Sequence, residues 1–454
     1  MASLAGCPGG GRETETVPTE RPPPETGTAD GTATRSPVQT TTDAPSRFGT
    51  VVDITAVGGD PGGDEPVTDL IKRHAGDDTL IEFPAGTYAL DRLSLTGLTN
   101  FGLRAVEGAD VSLRPTRPSR EIGPTLIDLT DMRNFLYEGI DLDFRQSGRG
   151  GMVHLLATDD FEFRNVRVRG RYPPDVTGFR FEVVTPKSAG IVENVRLSGG
   201  SIDGSDSVGI YVGHTHAGTL TIRDCVVESF PNNGVYASSP GRVDGLSGSN
   251  GPVHVLGGRF RNNNIANVRL GSTGSSVQNA TIVVDEIPPK ADGGLDPRGI
   301  RMRARRGQLV KNCDVRIKAP VPSCSGGIVV HSAAGRATVR NTSVHVNTDG
   351  VPAINALRPD NGQRGPILEN VAITGSASTE TAVDITERSG TRIRRSTIEQ
   401  TGANRSGIRF VRSNDCLVAD TRFQVTGDPI VATESNIVRR NLSLSDPAGG
   451  NSTD

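Results

Sequence analysis

Three stretches of the chain read Val310-Lys-Asn312-Cys-Asp-Val315, Val339-Arg-Asn341-Thr-Ser-Val344 and Leu368-Glu-Asn370-Val-Ala-Ile373. Each is a short apolar strand with Asn in the same place. The phrase recurs, with Asp replacing Asn in two copies, at 163–168, 192–197, 222–227, 277–282 and 418–423. Each copy follows another short apolar strand, and the period of roughly 22 to 33 residues is typical of solenoids. The repeat therefore predicts stacked coils around one continuous core.

The amino-acid composition agrees with a solenoid of stacked coils. The chain has 454 residues, of which 56 are Gly, 29 are Pro and none is Trp, as expected for many tight turns and few bulky helices. At roughly 150 residues per domain, a chain of this length would have about three domains. Stacked coils, however, share one core and form a single domain. We place this domain at 48–445. The net charge of -3 predicts no nucleic-acid partner.

The first 47 residues differ from the rest. Leu4-Ala5-Gly6-Cys7 matches the lipobox of exported lipoproteins, although Met1-Ala2-Ser3 leaves no room for the usual leader. Residues 8–46 are rich in Thr, Pro, Glu and Gly and cannot bury enough apolar surface to offset the entropy of ordering. We predict a disordered stalk over 1–47, lipidation at Cys7, a disordered tail over 446–454, and a location outside the cell or on its surface. An ordinary disordered terminus is the alternative for the stalk.

Three further cysteines lie within or beside repeat strands, where a free thiol acts as a small buried hydrophobe. Their spacing matches no zinc or redox motif. The sequence predicts structural thiols at Cys225, Cys313 and Cys416.

A capping helix is predicted near the start of the folded sequence. Asp64 is placed to cap a helix that ends at Gly76. The apolar residues of this helix share one face: Val67, Leu70 and Ile71. Such a helix would cover the exposed end of the first coil.

Residues 52–88, which run from a strand through this helix to Phe83-Pro-Ala-Gly-Thr-Tyr88, resemble the opening segment of the pectate-lyase-like (pectin lyase fold) superfamily. The repeats from about Leu126 to Leu444 resemble its coils. The resemblance implies an all-β fold, a right-handed parallel β-helix solenoid with a short N-terminal capping helix. It does not fix an activity, because the superfamily includes lyases, hydrolases, epimerases, tailspikes and non-catalytic surface proteins.

The repeated Asn or Asp is predicted to lie at the bend between two sheets, where a short polar side chain satisfies backbone groups that the turn leaves unpaired. Stacking would then build an internal ladder. Three of these residues begin Asn-x-Ser/Thr sequons, and burial in the ladder would keep them unglycosylated: Asn279, Asn341 and Asn441.

The candidate site lies on the first strand of each coil. Period two places Ile210 and Val212 inside and Tyr211 outside. One outward residue per coil gives a column: His154, Glu182, Tyr211, Tyr236, Arg269, Arg301, Val329, Asn355, Asp384 and Arg409. Arg303 and His331 lie two residues further along their strands. With coils stacked about 4.8 Å apart, the column suits an extended ligand. A solvated sheet face is the alternative.

The residue types in the column favour an acidic polysaccharide as partner, because Tyr faces stack on sugar rings and Arg pairs with carboxylates. We assign four residues to substrate binding: Tyr211, Arg303, Asn355 and Arg409. A uronate lyase needs a cation for the carboxylate and a base near the α-proton, roles that Arg, Lys, His or Tyr fill in the superfamily. The resemblance makes four residues the catalytic candidates: Arg269, Arg301, His331 and Tyr236. Asp384 and Glu182 are candidate Ca²⁺ ligands.

Two other motifs are set aside. Asn347-Thr-Asp349 and Arg316-Ile-Lys318 resemble polygalacturonase motifs, but their order is reversed and the paired carboxylates of an inverting hydrolase are missing. His214 and His216 have no third ligand nearby in the sequence and do not predict a metal site. The sequence thus predicts an exported protein that binds an acidic polysaccharide, and it leaves cleavage by β-elimination as an open hypothesis. The alternative is a non-catalytic surface, adhesion or structural module.

Overall fold

The computed structural model describes residues 47–238, 240, 250–291 and 294–445. Of the predicted stalk only Arg47 is among them, and Cys7 and the predicted tail lie outside the described residues. The stalk, the tail and the lipid anchor therefore stay predictions. Neither helix in the described part of the chain is long and apolar enough to cross a bilayer.

The described residues form two short helices, α1 Thr68–His74 and α2 Ser119–Ile122, and 36 strands. The strands of the first half are, in chain order, β1 Thr50–Asp53, β2 Thr79–Phe83, β3 Gly86–Leu90, β4 Leu93–Thr96, β5 Phe101–Ala105, β6 Val111–Pro115, β7 Thr125–Met132, β8 Phe135–Glu138, β9 Ile140–Phe144, β10 Met152–Ala157, β11 Phe161–Gly170, β12 Phe179–Val183, β13 Ala189–Leu197, β14 Ile210–Val212, β15 Thr219–Arg223, β16 Val226–Glu228, β17 Val235–Ala237 and β18 Val253–Leu256. Those of the second half are β19 Arg259–Arg261, β20 Ala266–Leu270, β21 Ser276–Gln278, β22 Thr281–Val284, β23 Arg298–Met302, β24 Arg306–Lys311, β25 Asp314–Ile317, β26 Ile328–Val330, β27 Arg336–Val346, β28 Ile354–Ala356, β29 Ile367–Gly375, β30 Thr381–Thr386, β31 Arg392–Arg394, β32 Thr397–Gln400, β33 Ser406–Val411, β34 Cys416–Val425, β35 Ile430–Thr433 and β36 Ile437–Leu444.

The strands stack as parallel ladders. Thirteen of them, one per coil from β4 to β35, form one sheet whose order follows the chain. The other 23 form a sheet that folds at a bend, so that β13 pairs with β15 before the bend and with β16 after it. This is the architecture of a right-handed parallel β-helix, and the prediction of an all-β solenoid is confirmed.

One apolar core runs the length of the coils, as the alternation predicts. Ile210 and Val212 are fully buried, and Tyr137 stacks on Phe163 with ring centroids 4.7 Å apart. The predicted structural thiols Cys225, Cys313 and Cys416 are buried within this core and form no disulfide with one another. Burial raises the pKa of the Cys225 thiol to about 12, so the thiol stays protonated and packs as an apolar group.

Helix α1 packs its apolar face into the core, with Val67 and Ile71 fully buried. The prediction that Asp64 caps it is wrong: the helix begins after Val67 without a side-chain cap and ends at His74. The backbone N–H of Asp64 instead donates to the Asp60 carboxylate. Asp60 organises the turn before the helix, and the buried face rather than a cap holds the helix in place.

The repeated Asn residues lie at the bend, but their ladder is on the outside, which corrects the prediction of burial. Asn341 and Asn370 are exposed and have φ angles of 50° and 52°, in the left-handed region that Asn tolerates better than most residues. The Asn370 amide donates to Oδ1 of Asn341 in the preceding coil at 3.0 Å. Because the sequons at Asn279, Asn341 and Asn441 are likewise exposed, burial does not protect them from glycosylation.

Substitutions at Asn370 distinguish the effect of its left-handed backbone conformation from that of its side-chain hydrogen bond to Asn341. We expect Asn370→Ala to lower the free energy of unfolding by about 1–2 kcal/mol, because Ala lacks the short polar side chain whose local hydrogen bonds make a left-handed conformation tolerable for Asn. Asn370→Gly should lose less, because Gly adopts positive φ without that cost. Urea unfolding of both variants is the measurement. A Gly variant as unstable as the Ala variant would show that the ladder hydrogen bond, rather than the backbone, accounts for Asn at this position.

Candidate functional site

From Tyr211 to Arg409 the predicted column is one continuous row on the 13-stranded sheet. Tyr211 on β14 lies opposite Tyr236 on β17, Tyr236 opposite Arg269 on β20, and Arg269 opposite Arg301 on β23. The four central residues therefore share one surface, as the periodicity predicts.

Glu182 is not a member of the column. His154 lies opposite Arg180, which in turn lies opposite Tyr211, and Glu182 is two residues further along β12. Its side chain is fully buried because Thr215, from the loop after β14, covers it and donates to its carboxylate at 2.8 Å. Arg180 was missed, although the alternation of β12 places it outward two residues before Glu182.

The centre of the column is a pair of aromatic rings with a cation on each side. Tyr211 and Tyr236 have ring centroids 5.4 Å apart and inclined at 60°. The guanidinium of Arg180 lies 5.7 Å from the Tyr211 ring, and that of Arg269 lies 4.3 Å from the Tyr236 ring. These cation–π contacts fix the positions of the rings.

Beyond the rings lies a cation cluster, which we define as Arg269, Arg301 and Arg303. Arg301 makes no ion pair within the described part of the chain, and its Nε is buried without a hydrogen-bond partner there. Burial, followed by the charges of Arg298, Arg269 and Arg303, lowers the pKa of Arg301 to about 9. Like charges held this close repel one another, which adds to the effect of burial on Arg301.

His331 borders the cation cluster as a neutral ring. Burial, and then the charges of Arg301 and Arg303, lower the pKa of His331 to about 3. Its Nδ1 accepts a hydrogen bond from the Ala333 N–H at 3.2 Å. The ring proton therefore lies on Nε2, which makes this nitrogen a hydrogen-bond donor rather than an acceptor.

At the other end of the column, charged side chains neutralise one another. The His154 ring contacts Asp128 through Nδ1 at 2.9 Å and Glu182 through Nε2 at 3.1 Å. Arg180 donates to both Glu182 oxygens at 3.0 Å. Burial would raise the pKa of Glu182, but hydrogen bonds from His154, Arg180 and Thr215 lower it to about 2. Glu182 thus joins two strands of the sheet to the loop at 213–218.

That loop contributes a residue that the sequence reasoning set aside. His214 Nε2 lies 3.2 Å from the Tyr211 hydroxyl. Its neighbour His216 is buried and accepts the Val183 N–H at 3.1 Å; burial lowers its pKa to about 4. One His therefore contacts the column and the other supports the fold. Neither role has a sequence signal, because loops do not follow the period of the strands.

The remaining candidates lie apart from the cation cluster. Val329, which follows Arg301 in the column, is fully buried, and Asn355 donates to the Ser325 carbonyl at 2.8 Å. Arg409 is held by Asp384 at 2.6 Å and Glu380 at 3.0 Å.

The structure does not bring the two candidate Ca²⁺ ligands together. Asp384 on β30 and Glu182 on β12 are seven strands apart in the sheet, so they do not share an ion. Both already accept hydrogen bonds from arginines. Among the residues described, no cluster of three or more His, Cys, Asp or Glu side chains is arranged to hold a metal.

The column residues from β10 to β23 are each partly exposed: His154, Arg180, Tyr211, Tyr236, Arg269 and Arg301. A cleft of about 590 Å³ lies among the loops that precede the strands, lined in part by Ile202, Ile287 and Lys290, and it contains no column residue. A row of side chains along neighbouring strands fits an extended ligand better than a small molecule, which usually occupies a concave pocket.

The fold has solved counterparts. The tailspike protein of E. coli bacteriophage HK620, solved in complex with a pentasaccharide, matches 87% of this chain and 78% of its own with a TM-score of 0.52 at 10% identity. The chain is a right-handed parallel β-helix protein. At this identity the likeness concerns the fold alone.

Two further β-helix proteins are similar over most of their length. The A-module of Azotobacter vinelandii mannuronan C-5 epimerase AlgE6 matches 87% of this chain and 100% of its own, at 14% identity and a TM-score of 0.48. The Streptococcus pneumoniae surface protein and adhesin PfbA matches 87% and 98%, at 12% identity and a TM-score of 0.40. No protein-family description matches the sequence, and no curated protein matches it.

Proposed function

We propose that this β-helix protein binds an acidic polysaccharide along the column. The observation that carries the proposal is Arg301, a half-buried cation that makes no ion pair among the described residues, although Asp296 acts on it from a longer distance. Arg301 is in line with the Tyr211 and Tyr236 rings. A ligand carboxylate would relieve the repulsion within the cation cluster, and His331 Nε2–H supplies a further donor beside it. The phage tailspike of the same fold, solved with a pentasaccharide, supports carbohydrate as the ligand class.

The finer proposal is cleavage by β-elimination. Arg301 and Arg269 would neutralise the uronate carboxylate and make the adjacent carbon more acidic. Tyr236, which lies between Tyr211 and Arg269 in the column, is the candidate base in its deprotonated form. It would take the proton from that carbon as the glycosidic carbon–oxygen bond at the next carbon breaks. The leaving oxygen takes up a proton, and the product keeps a double bond conjugated with its carboxylate.

A non-catalytic surface module is the second candidate function. It is favoured by His331, whose Nδ1 is occupied by the Ala333 N–H and which therefore offers no free acceptor nitrogen to a substrate. On this alternative the column binds carbohydrate without chemistry. Incubation with pectate, alginate and glycosaminoglycan polymers separates the two functions, because only elimination generates the absorbance of an unsaturated uronate.

The binding proposal is tested at Arg301. We expect Arg301→Ala to weaken the binding of an acidic oligosaccharide about tenfold to hundredfold, because a hydrogen bond to a charged group contributes roughly 1.5–3 kcal/mol. Isothermal titration calorimetry is the measurement. The matched control is Arg316→Ala, which removes an exposed Arg on β25, outside the 13-stranded sheet. Equal affinities for Arg301→Ala and the unaltered protein would place the binding surface elsewhere.

A further inference from the structure

A second row of side chains, which we call the bend row, runs along the 23-stranded sheet beside the bend. From β2 to β15 its members alternate in sign from one strand to the next: Glu82, Arg104, Glu138, Arg164, Glu193 and Arg223. Each Arg of this part has a carboxylate partner in the preceding coil, at 2.6 Å, 3.0 Å and 3.2 Å in turn. Opposite charges on adjacent strands stabilise a sheet, so this part of the bend row is balanced.

The alternation of charge ends further along the bend row. After Leu256 and Gln278, Lys311 on β24 lies directly opposite Arg340 on β27. Neither side chain makes an ion pair or a hydrogen bond in the part of the chain that the structure describes, and Nε of Arg340 is buried without a partner there. Like charges opposite each other destabilise a sheet. No contact among the described residues offsets this cost.

The next carboxylate in the bend row belongs to another cation. Glu369 on β29 lies opposite Arg340, but it pairs with Arg395 at the bend of the following coil. A cleft of about 550 Å³, which we call the bend cleft, is lined by six residues: Lys311, Arg340, Asn341, Glu369, Asn370 and Arg395. Three cations against one carboxylate leave the bend cleft a net charge of +2.

The ladder of Asn side chains is interrupted at the same step. Asn312 donates to Asn279 at 3.1 Å and Asn370 donates to Asn341 at 3.0 Å. No hydrogen bond joins Asn341 to Asn312, and the exposed Asn341 amide donates to no other residue that the structure describes. The Asn341 N–H groups therefore add a free donor beside the two opposed cations.

We propose that the bend cleft binds a phosphate monoester of a sugar-sized molecule. At neutral pH such a group carries about −1.5 to −2 charge and three acceptor oxygens. Its charge matches that of the bend cleft, and its oxygens match the donors of Lys311, Arg340 and Asn341. A carboxylate brings one charge and would leave one of the two opposed cations without a partner. The volume of about 550 Å³ leaves room for the rest of the molecule.

The inference does not rest on the proposed function, because no residue of the column lines the bend cleft. Calorimetry on the Arg301→Ala variant tests it with the half-buried cation of the column removed. The probes are glucose 6-phosphate, inorganic phosphate and glucuronate. We expect glucose 6-phosphate to bind most tightly, inorganic phosphate more weakly, and glucuronate at least tenfold more weakly than glucose 6-phosphate.

Substitutions in the same background locate the site. Arg340→Gln should weaken the binding of glucose 6-phosphate about tenfold to hundredfold, because it removes hydrogen bonds to a charged group. The matched control is Arg223→Gln, which removes a cation of the bend row that pairs with Glu193, and it should leave binding unchanged. Circular dichroism spectra verify that each variant keeps the fold. Equal affinities for the Arg340→Gln variant and its parent would overturn the inference.

Lys311→Glu gives a readout that needs no ligand. It places a carboxylate opposite Arg340 and restores the alternation of the bend row, so we expect a higher urea midpoint of unfolding together with the loss of glucose 6-phosphate binding. A lowered midpoint would contradict the repulsion between Lys311 and Arg340 on which the inference stands. Glucuronate or inorganic phosphate bound as tightly as glucose 6-phosphate would overturn the assignment of a phosphate monoester. None of these outcomes bears on polysaccharide binding by the column.

Discussion

Replacing Arg388 with Met should lower the free energy of unfolding by about 3 kcal/mol or more, since each buried polar group left without a partner costs roughly 1–3 kcal/mol. The Arg388 guanidinium is fully buried and donates to three backbone carbonyls, those of His331, Ala334 and Leu357, at 2.6–2.8 Å. Burial lowers the pKa of Arg388 to about 10, so the side chain remains charged at neutral pH. Met fills much of the volume and satisfies none of the carbonyls.

Chemical denaturation measures this effect, with Arg422→Met as the control. Arg422 is exposed on β34, and a surface change of this kind usually alters stability by about 0.5 kcal/mol or less. Arg405 provides a second instance: it is fully buried and donates to Gln400 Oε1 and the carbonyls of Thr379 and Val351. Equal stability of the Arg388→Met and Arg422→Met variants would mean that the carbonyls find other partners.

Replacing Glu182 with Ala should cost about 3–5 kcal/mol, the range for removing one partner of a buried ion pair. The change leaves Arg180, His154 and the Thr215 hydroxyl without their shared acceptor. Thermal and urea unfolding measure the loss. Asp314→Ala, which breaks an exposed pair with Arg316, is the matched control and should have little effect.

The Glu182 carboxylate should also make the free energy of unfolding depend on pH in the acidic range. The pKa of Glu182 falls from an ordinary 4.5 to about 2 in the folded protein, so the folded state binds fewer protons than the unfolded state between these values. Its contribution of a few kcal/mol is complete above pH 4.5 and is lost as the pH falls towards 2. Glu182→Gln should remove this part of the profile. A variant that follows the unaltered protein across this pH range would contradict the role of Glu182.

The fold was predictable because its signal is local and repeated. Strand alternation places Ile210 and Val212 inside, and the same period correctly aligns Tyr211, Tyr236, Arg269 and Arg301. Periodicity did not identify which way the bend Asn points, because an outward ladder and an inward ladder have the same sequence pattern. Only the backbone geometry, with φ near 50° at Asn341, distinguishes them.

The detailed arrangement of the site was less predictable. It depends on loops, and on which outward residue of a strand aligns with the neighbouring strand. Both Arg180 and Glu182 face outward on β12, and choosing between them requires the pairing with His154. His214 reaches Tyr211 from a loop whose path no period describes. The commitment of Arg409 to Asp384 and Glu380 depends on a residue from the loop before β30.

In most coils the strand, the bend and the next strand together have a nearly constant length; between β5 and β6, by contrast, five residues separate the strands. From β15 through Asp224 to β16, or along β27 through Asn341, strand, corner and strand follow one another without an insertion. Differences in coil length therefore fall on the loops at the two margins of the 13-stranded sheet, such as 213–218 and 285–297. Those loops border the column. The structure of the bend therefore does not depend on the length or sequence of these loops. We expect that exchanging the loops changes ligand specificity without altering the stacked strands.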